Sequence, residues 1–305
     1  MTIDTHLGKT ASGKRNAVYQ TPNKVDPSLL VAVPRSENRV QYSLRGKMPF
    51  VGFDVWHSYE FSMLNEWGCP RNFILKIVYP SNSKYIVESK SLKLYLNSYN
   101  MEPREKFVGL QIQKDLSDLL KTEVSVNFFS TDEVGQWKDK FREFKSIDDV
   151  AHYINSPIEF YNENPLLLSN NVIETGYSSK NYILIDRNFQ GSSAVLRSNC
   201  KVTNQPDWAD VFIYWSGDYT VEEKDLYKYL LSFRNENHFH EEICEAIYKR
   251  LWDILKPDEL FVACLYTRRG GIDINPIRAS NVTLLNNLAP LIIDSRKLTA
   301  KTGRQ

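Results

Sequence analysis

Four groups of side chains in this 305-residue chain have types and spacings that could carry out chemistry. The first surrounds Cys200. Arg197 stands three residues before the thiol, Lys201 directly after it, and Asp207 seven residues on, between Pro206 and Trp208. Fixed positive charge stabilises a thiolate, the nucleophilic form of cysteine. A carboxylate folded back towards that sulfur could move a proton. The alternative is a buried cysteine that only fills the core. The second group is Glu88-Ser89-Lys90-Ser91-Leu92-Lys93. Read as a strand, it puts Glu88 and Lys90 on one face and Ser89 and Ser91 on the other. That is either a solvated edge or, with Glu88 turned inward, the wall of a pocket. The third is Phe239-His240-Glu241 at a predicted helix start. Either both polar groups face a ligand, or Glu241 is a first-turn acid favoured by the helix dipole and His240 a bystander. The fourth is Thr267-Arg268-Arg269-Gly270-Gly271, directly after a predicted strand. Guanidinium groups and bare backbone together suit phosphate oxygens; a basic strand end and turn is the other reading.

Composition narrows the classes. His238 and His240 with Cys244 have no further closely spaced ligand, so no metal site is expected. Gly-x-Gly-x-x-Gly and P-loop patterns are absent. A net charge of +1 argues against direct nucleic-acid binding. Cys69, Cys200, Cys244 and Cys264 form no Cys-x-x-Cys pair, which fits reduced thiols in the cytoplasm. With no apolar leader and no run of about 18 apolar residues, neither secretion nor membrane spanning is expected.

The elements that must position these groups follow from periodicity. Residues 1–28 read as a loose polar arm. The aromatic-rich Phe53–Phe61 reads as core. Ile74–Tyr79 predicts a strand ended by Pro80-Ser81-Asn82-Ser83, and a second strand from Lys84 carries the Glu88 segment. Pro103 is placed to open a helix running to Leu120, and Val124, Val126 and Phe128 alternate as a strand. Residues 130–175 lack a period and read as a linker with a helix near 146–154. Strands are then expected at Tyr182–Ile185, through Cys200, at Asp210–Trp215 and at Leu260–Tyr266. Between the last two lie helices from about Val221 to Arg234 and from Phe239 onward, the latter with Ile243, Ile247, Leu251, Ile254 and Leu255 on one face. The order strand, strand, helix, strand occurs twice. A short echo goes with it, Tyr95-Leu96-Asn97-Ser98-Tyr99 against Tyr229-Leu230-Leu231-Ser232-Phe233. Together they predict a tandem repeat of one α+β module.

Glu88 to Tyr95, Ser198-Asn199-Cys200 with Gln205-Pro206-Asp207-Trp208, Ser232 to Asn235, Phe239-His240-Glu241 and Tyr266 to Gly271 together make the chain similar to the NADPH-dependent 7-cyano-7-deazaguanine reductases, the QueF family, in its long two-module form. The resemblance implies an α+β architecture of tandem tunnelling-fold modules, antiparallel sheets with helices on one face. The modules would span 29–135 and 179–290, with an arm at 1–28, a linker at 136–178 and a tail at 291–305. It implies a cytoplasmic nitrile reductase of queuosine biosynthesis, homodimeric, using NADPH and no metal. Cys200 would form a thioimide with the nitrile of 7-cyano-7-deazaguanine and Asp207 would donate the proton. Glu88, Glu241, His240 and Phe239 would hold the base, bordered by Val87 and Ser89, while Ser89, Lys90, Arg269 and Gly270 would contact NADPH. One site per chain is expected, at the junction of the halves. The competing expectations are another tunnelling-fold enzyme, or a non-catalytic binding module, for a pterin- or purine-like ligand.

Overall fold

Strands with apolar residues at alternate positions build a ten-stranded sheet that runs through both halves of the chain. The structure, a computed structural model, describes residues 24–102, 107–131, 143–155, 157–178, 183–298 and 305. Most of the polar arm, Pro103 and Tyr182 lie outside the described residues. In the first half, β1 (Val51–Leu64) and β2 (Pro70–Pro80) form a long hairpin, followed by α1 (Ser89–Asn97), α2 (Val108–Leu120) and β3 (Ser125–Ser130). In the second, β4 (Asn188–Ser193), β5 (Arg197–Cys200) and β6 (Pro206–Ser216) precede α3 (Glu223–Leu231), α4 (His240–Leu255), β7 (Glu259–Tyr266), β8 (Ile272–Ala279) and α5 (Val282–Ile292). The sheet order from β5 is β5-β6-β7-β8-β1-β2-β3, with all these neighbours antiparallel and β4 also on β6. Asp148–Tyr153, where a helix is expected, forms a 3-10 helix.

The expectation of helices on one face needs correction. In β7, Leu260, Val262, Cys264 and Tyr266 pack into the core under α3 and α4, while Phe261, Ala263 and Leu265 pack with α5. A strand that is apolar on both sides must be covered on both sides, so α5 closes the face opposite α1 to α4.

A second correction concerns the Glu88 segment. The strand there is only Tyr85–Val87, and Glu88 is the N-cap of α1. Its Oε1 accepts from the Lys90 N–H at 3.0 Å and its Oε2 from the Ser91 N–H at 2.7 Å. Ser91 Oγ donates back to the Glu88 carbonyl at 2.7 Å. These bonds satisfy N–H groups that a new helix leaves open. The Glu/Lys alternation is therefore not strand periodicity; Leu92, Tyr95 and Leu96 form the buried helical stripe.

The five-residue echo occupies matching places. Tyr95–Tyr99 closes α1 and Tyr229–Phe233 closes α3. Ser98 and Ser232 are the C-caps, and their hydroxyls donate to the Tyr95 carbonyl at 2.6 Å and the Tyr229 carbonyl at 2.7 Å. Each hydroxyl also accepts an N–H from an Asx-Pro pair, from Asp26 at 3.1 Å and from Asn164 at 3.2 Å. The aromatic rings meet edge to face in both, at 5.5 Å for Tyr95–Tyr99 and 5.4 Å for Tyr229–Phe233.

The halves join where β8 pairs with β1, from Ile272 opposite Ser58 to Ala279 opposite Val51. At Gly52 the backbones are so close that a Cβ would stand 2.0 Å from the Ile277 carbonyl oxygen. Under this seam Arg278, fully buried, donates to Asp54 Oδ1 at 2.8 Å and Glu245 Oε1 at 2.8 Å. Arg39 makes two bonds of 2.7 Å to Glu245, and Arg35 pairs with Asp54. Burial alone would raise both carboxyls, yet the arginines hold Asp54 and Glu245 below the ordinary range. Glu245→Ala leaves buried Arg39 without its carboxylate and takes one of two from Arg278. It is expected to destabilise the chain by about 3–5 kcal/mol, read as a lower urea midpoint at constant slope; an unmoved midpoint would deny the network any part in stability.

Candidate active site

The site begins with a hairpin. After β5 the chain turns through Lys201–Gln205 and returns as β6. The turn is closed by Cys200 N–H to the Gln205 carbonyl at 2.8 Å and Asn204 N–H to the Cys200 carbonyl at 3.0 Å. Asn204 takes φ 55°, a left-handed conformation that Asn tolerates well. The return sets Asp207 opposite Ser198 in register, so the carboxylate is folded back beside the thiol's strand.

Cys200 is 8% exposed. Burial pushes its thiol up. The nearby donors of Thr203 and Arg269 and the backbone N–H groups of Val202 and Thr203 outweigh that, and its pKa lies below the ordinary thiol value. The cation at the sulfur is Arg269, 69 positions away in sequence, and the two sequence neighbours spend their charge elsewhere. Arg197 donates to the Arg234 carbonyl, and Lys201 Nζ is 3.2 Å from Glu242 and 3.1 Å from Asn38.

Arg269 arrives from the β7–β8 turn. Its N–H bonds the Ile272 carbonyl at 2.9 Å, and Gly270 and Gly271 follow at φ 58° and 77°. Such positive φ values favour glycine. The turn sends Arg268 outward over the Tyr59 ring at 3.4 Å and Arg269 inward, its Nη1 3.0 Å from Asp207 Oδ1. Asp207 Oδ2 lies 3.2 Å from His240 Nε2, and the His240 ring stacks on Tyr266 at 3.7 Å with 2° between the planes.

Helix α4 starts with Phe239 as N-cap, and the Glu242 carboxylate accepts the Phe239 N–H at 3.3 Å. His240 and Glu241 are thereby placed on its first turn, both buried. Burial and the neighbouring charge of Asp54 push the Glu241 carboxyl up to about 8, against the opposing pull of Arg35 and Arg278. Its Oε1 is buried with no hydrogen-bond partner. Glu88 is also raised: burial exceeds the effect of its two capping N–H bonds and of Lys90 and Arg269.

One cavity of about 220 Å³ is lined by Cys200, Asp207, Val87, Glu88, Ser89, Lys90, Phe239, His240, Glu241, Arg269 and Gly270. All the candidate residues of the sequence are thus brought together, Val87 to Lys90 from the first half and the others from the second. The walls also include Trp56, Thr203, Gln205, Lys93 and Ile274, which sequence reasoning missed as site residues. Trp56 lay in a segment read as core; its indole N–H is buried without a partner, a polar edge that aromatic density does not disclose. Thr203 could be found only by folding the turn.

Lys90, Lys93 and Arg269 stand at one side of this cavity, beside the bare backbone of Gly270, where an added Cβ would sit 3.4 Å from Lys93 Nζ. Lys93 also pairs with Glu60 at 2.9 Å; three cations beside a glycine turn fit the phosphates of a nucleotide cofactor. Among the described residues no group of three or more His, Cys, Asp or Glu could hold a metal ion, and no helix is long and apolar enough to cross a membrane.

Comparison with known proteins gives the family. Residues 21–128 match the family model described as the N-terminal part of "Nitrile reductase, 7-cyano-7-deazaguanine-reductase", and residues 206–283 match "QueF-like protein". The NADPH-dependent 7-cyano-7-deazaguanine reductase of Colwellia psychrerythraea is 38% identical over 281 residues, covering 91% of this chain and 94% of its own. Those of Hahella chejuensis and Coxiella burnetii are each 36% identical, covering 96% and 92% of this chain and 97% and 92% of theirs. The chain belongs to the NADPH-dependent 7-cyano-7-deazaguanine reductase family.

Glu241 makes a pH-dependent demand on stability. Its folded pKa of about 8 exceeds the ordinary 4.5, so the folded state holds the extra proton between these values and loses stability as pH rises through them. Glu241→Gln removes that slope. Its thermal midpoint relative to the native chain is expected to rise from pH 5 to pH 8 and then level off; parallel midpoints across this range would mean that Glu241 ionises normally.

Proposed function

We propose that this chain reduces 7-cyano-7-deazaguanine to 7-aminomethyl-7-deazaguanine with two NADPH, through a thioimide on Cys200, as a step of queuosine biosynthesis. The observation that carries this reading is a buried thiol in one cavity with Asp207 and two buried glutamates, Glu88 and Glu241. A nitrile is a poor hydride acceptor, and sulfur addition makes a better one. Asp207 takes the Cys200 proton as sulfur attacks the nitrile carbon, then returns it to the nitrogen as the C–N bond order falls from three to two. NADPH supplies the hydrides that carry the carbon to the amine level. Ser89, Lys90, Arg269 and Gly270 would hold it.

The base presents an amino group and a ring N–H, both donors. Glu88 and Glu241 accept them, Glu241 giving up its proton as the donors arrive, and the unpartnered Oε1 of Glu241 supports this. Phe239 offers a stacking face, His240 holds Asp207 from the other side, and Val87 and Ser89 border the ligand. The relatives' names give a substrate and a reductant, which supports the reaction.

We further propose that the two halves are tandem tunnelling-fold modules, within 29–135 and 179–290, sharing this one site. The paired serine caps and Asx-Pro contacts support an internal repeat. Homodimerisation and a cytoplasmic location complete the proposal; four free cysteines suit a reducing compartment.

Intact-protein mass spectra test the chemistry. With the nitrile and no NADPH, the native chain should gain one substrate mass, Cys200→Ala should gain none, and NADPH should discharge the adduct. A folded chain that binds the base without any adduct would indicate a non-covalent binding module. Glu88→Ala should weaken base binding roughly 10- to 100-fold in calorimetry, the loss of a hydrogen bond to a charged group. Unchanged affinity would exclude the first half from the site. The variant also loses a helix cap, about 1 kcal/mol, so affinity is measured where it remains folded.

A further inference from the structure

We propose that Arg269 is the shared counter-ion of the proton hand-off between Cys200 and Asp207, and so acts in covalent capture itself, beyond any hold on the cofactor. The inference rests on Cys200 being the nucleophile and deepens that reading.

One guanidinium lines the same cavity wall as Cys200 and Asp207. Its Nη1 stands 3.0 Å from Asp207 Oδ1, an ion pair without hydrogen-bond alignment, and its charge also acts on the Cys200 sulfur. Before transfer the negative charge is on Asp207. After transfer it is on sulfur, and the proton is on the carboxyl. In a site where both anions are nearly buried, 8% exposed for Cys200 and 4% for Asp207, an anion without a counter-ion is costly. Because Arg269 pairs with Asp207 and lies beside Cys200 in the same cavity, the charge moves without leaving its cation. Sulfur then adds to the nitrile carbon, one C–N π bond opens onto nitrogen, and nitrogen takes the proton that Asp207 holds. Atoms and charge balance with no oxidant or reductant, and Asp207 regains its charge beside the same guanidinium.

Arg197 and Lys201 do not duplicate this service, since they are bound to the Arg234 carbonyl and to Glu242. The charged and titratable groups acting on or paired with Arg269 or Asp207 from neighbouring elements are Glu88 from the N-terminal end of α1, His240 from α4 and Tyr266 from β7. Thr203 is a nearby donor to the sulfur from the hairpin turn. None of these is a second cation in contact with both reacting groups. The turn also explains why arginine is used: a planar fork can span two acceptors, whereas an ammonium acts as a point charge.

The test compares native chain, Arg269→Gln and Arg269→Lys without NADPH. Two quantities are read: the pH midpoint of Cys200 alkylation by iodoacetamide, counted by mass at that residue, and the rate of adduct formation with the nitrile. Arg269→Gln should raise the midpoint by about one unit or more, as loss of a nearby opposite charge does. Its adduct rate at neutral pH should fall at least about threefold, since a scarcer thiolate is partly offset by its greater nucleophilicity. Arg269→Lys should recover part of the midpoint but less of the rate. If Arg269→Gln leaves either quantity unchanged and alters only the KM for NADPH, the hand-off role is overturned and Arg269 is a cofactor clamp. If the native chain forms no adduct at all, the nucleophile reading itself fails, and the hand-off role falls with it; an unmoved alkylation midpoint would separately deny the counter-ion contact.

Discussion

The β8–β1 seam and the charges beneath it are the constraint on which the rest of the molecule depends. Strand pairing alone would join the halves by main-chain bonds. Arg278, Arg35, Arg39, Asp54 and Glu245 add a buried cluster with members from both halves and from α4. Two carboxylates against three guanidiniums can be buried only if each is placed for several bonds at once. That requirement fixes how α4 lies on β8, and α4 carries His240 and Glu241. The same seam sets Trp56 of β1 beside Ile274 of β8 in the cavity wall.

The charges at the seam also reach into the site. Glu241 is one turn from Glu245 on α4, and Asp54 is the neighbouring charge that raises it. A carboxyl kept from ionising easily, with one oxygen unpartnered, gains most from a ligand that brings donors. The structural network and this unpartnered carboxyl in the cavity are thus parts of one electrostatic system.

Much of this was legible in the sequence. The candidate residues were found from their chemical types and from the family resemblance, and they line one cavity. Strand and helix order came from periodicity, and the five-residue echo marked two C-caps with the same hydrogen bonds. What was not legible was spatial. The cation beside Cys200 is neither sequence neighbour: Arg197, three positions back on the strand, points to the other face, Lys201 belongs to the turn, and Arg269 comes from a turn 69 positions on. Glu88 was read as a strand residue because Glu and Lys alternate there. A capping carboxylate leaves no period-2 signature, and the helical stripe that follows overlaps the alternation for several residues. The coverage of both sheet faces was missed because an all-apolar strand such as β7 does not say which element covers which side.

A cavity assembled from both halves of one polypeptide has a consequence in mass action. Were Glu88 and Cys200 carried on separate chains, their meeting would be governed by concentration, and dilution would empty the assembled state. Here the encounter is intramolecular, with an effective concentration set by the connecting residues and by the seam. The fraction of complete sites is then independent of how much protein is present, and every folded chain is made with the two half-sites in equal number.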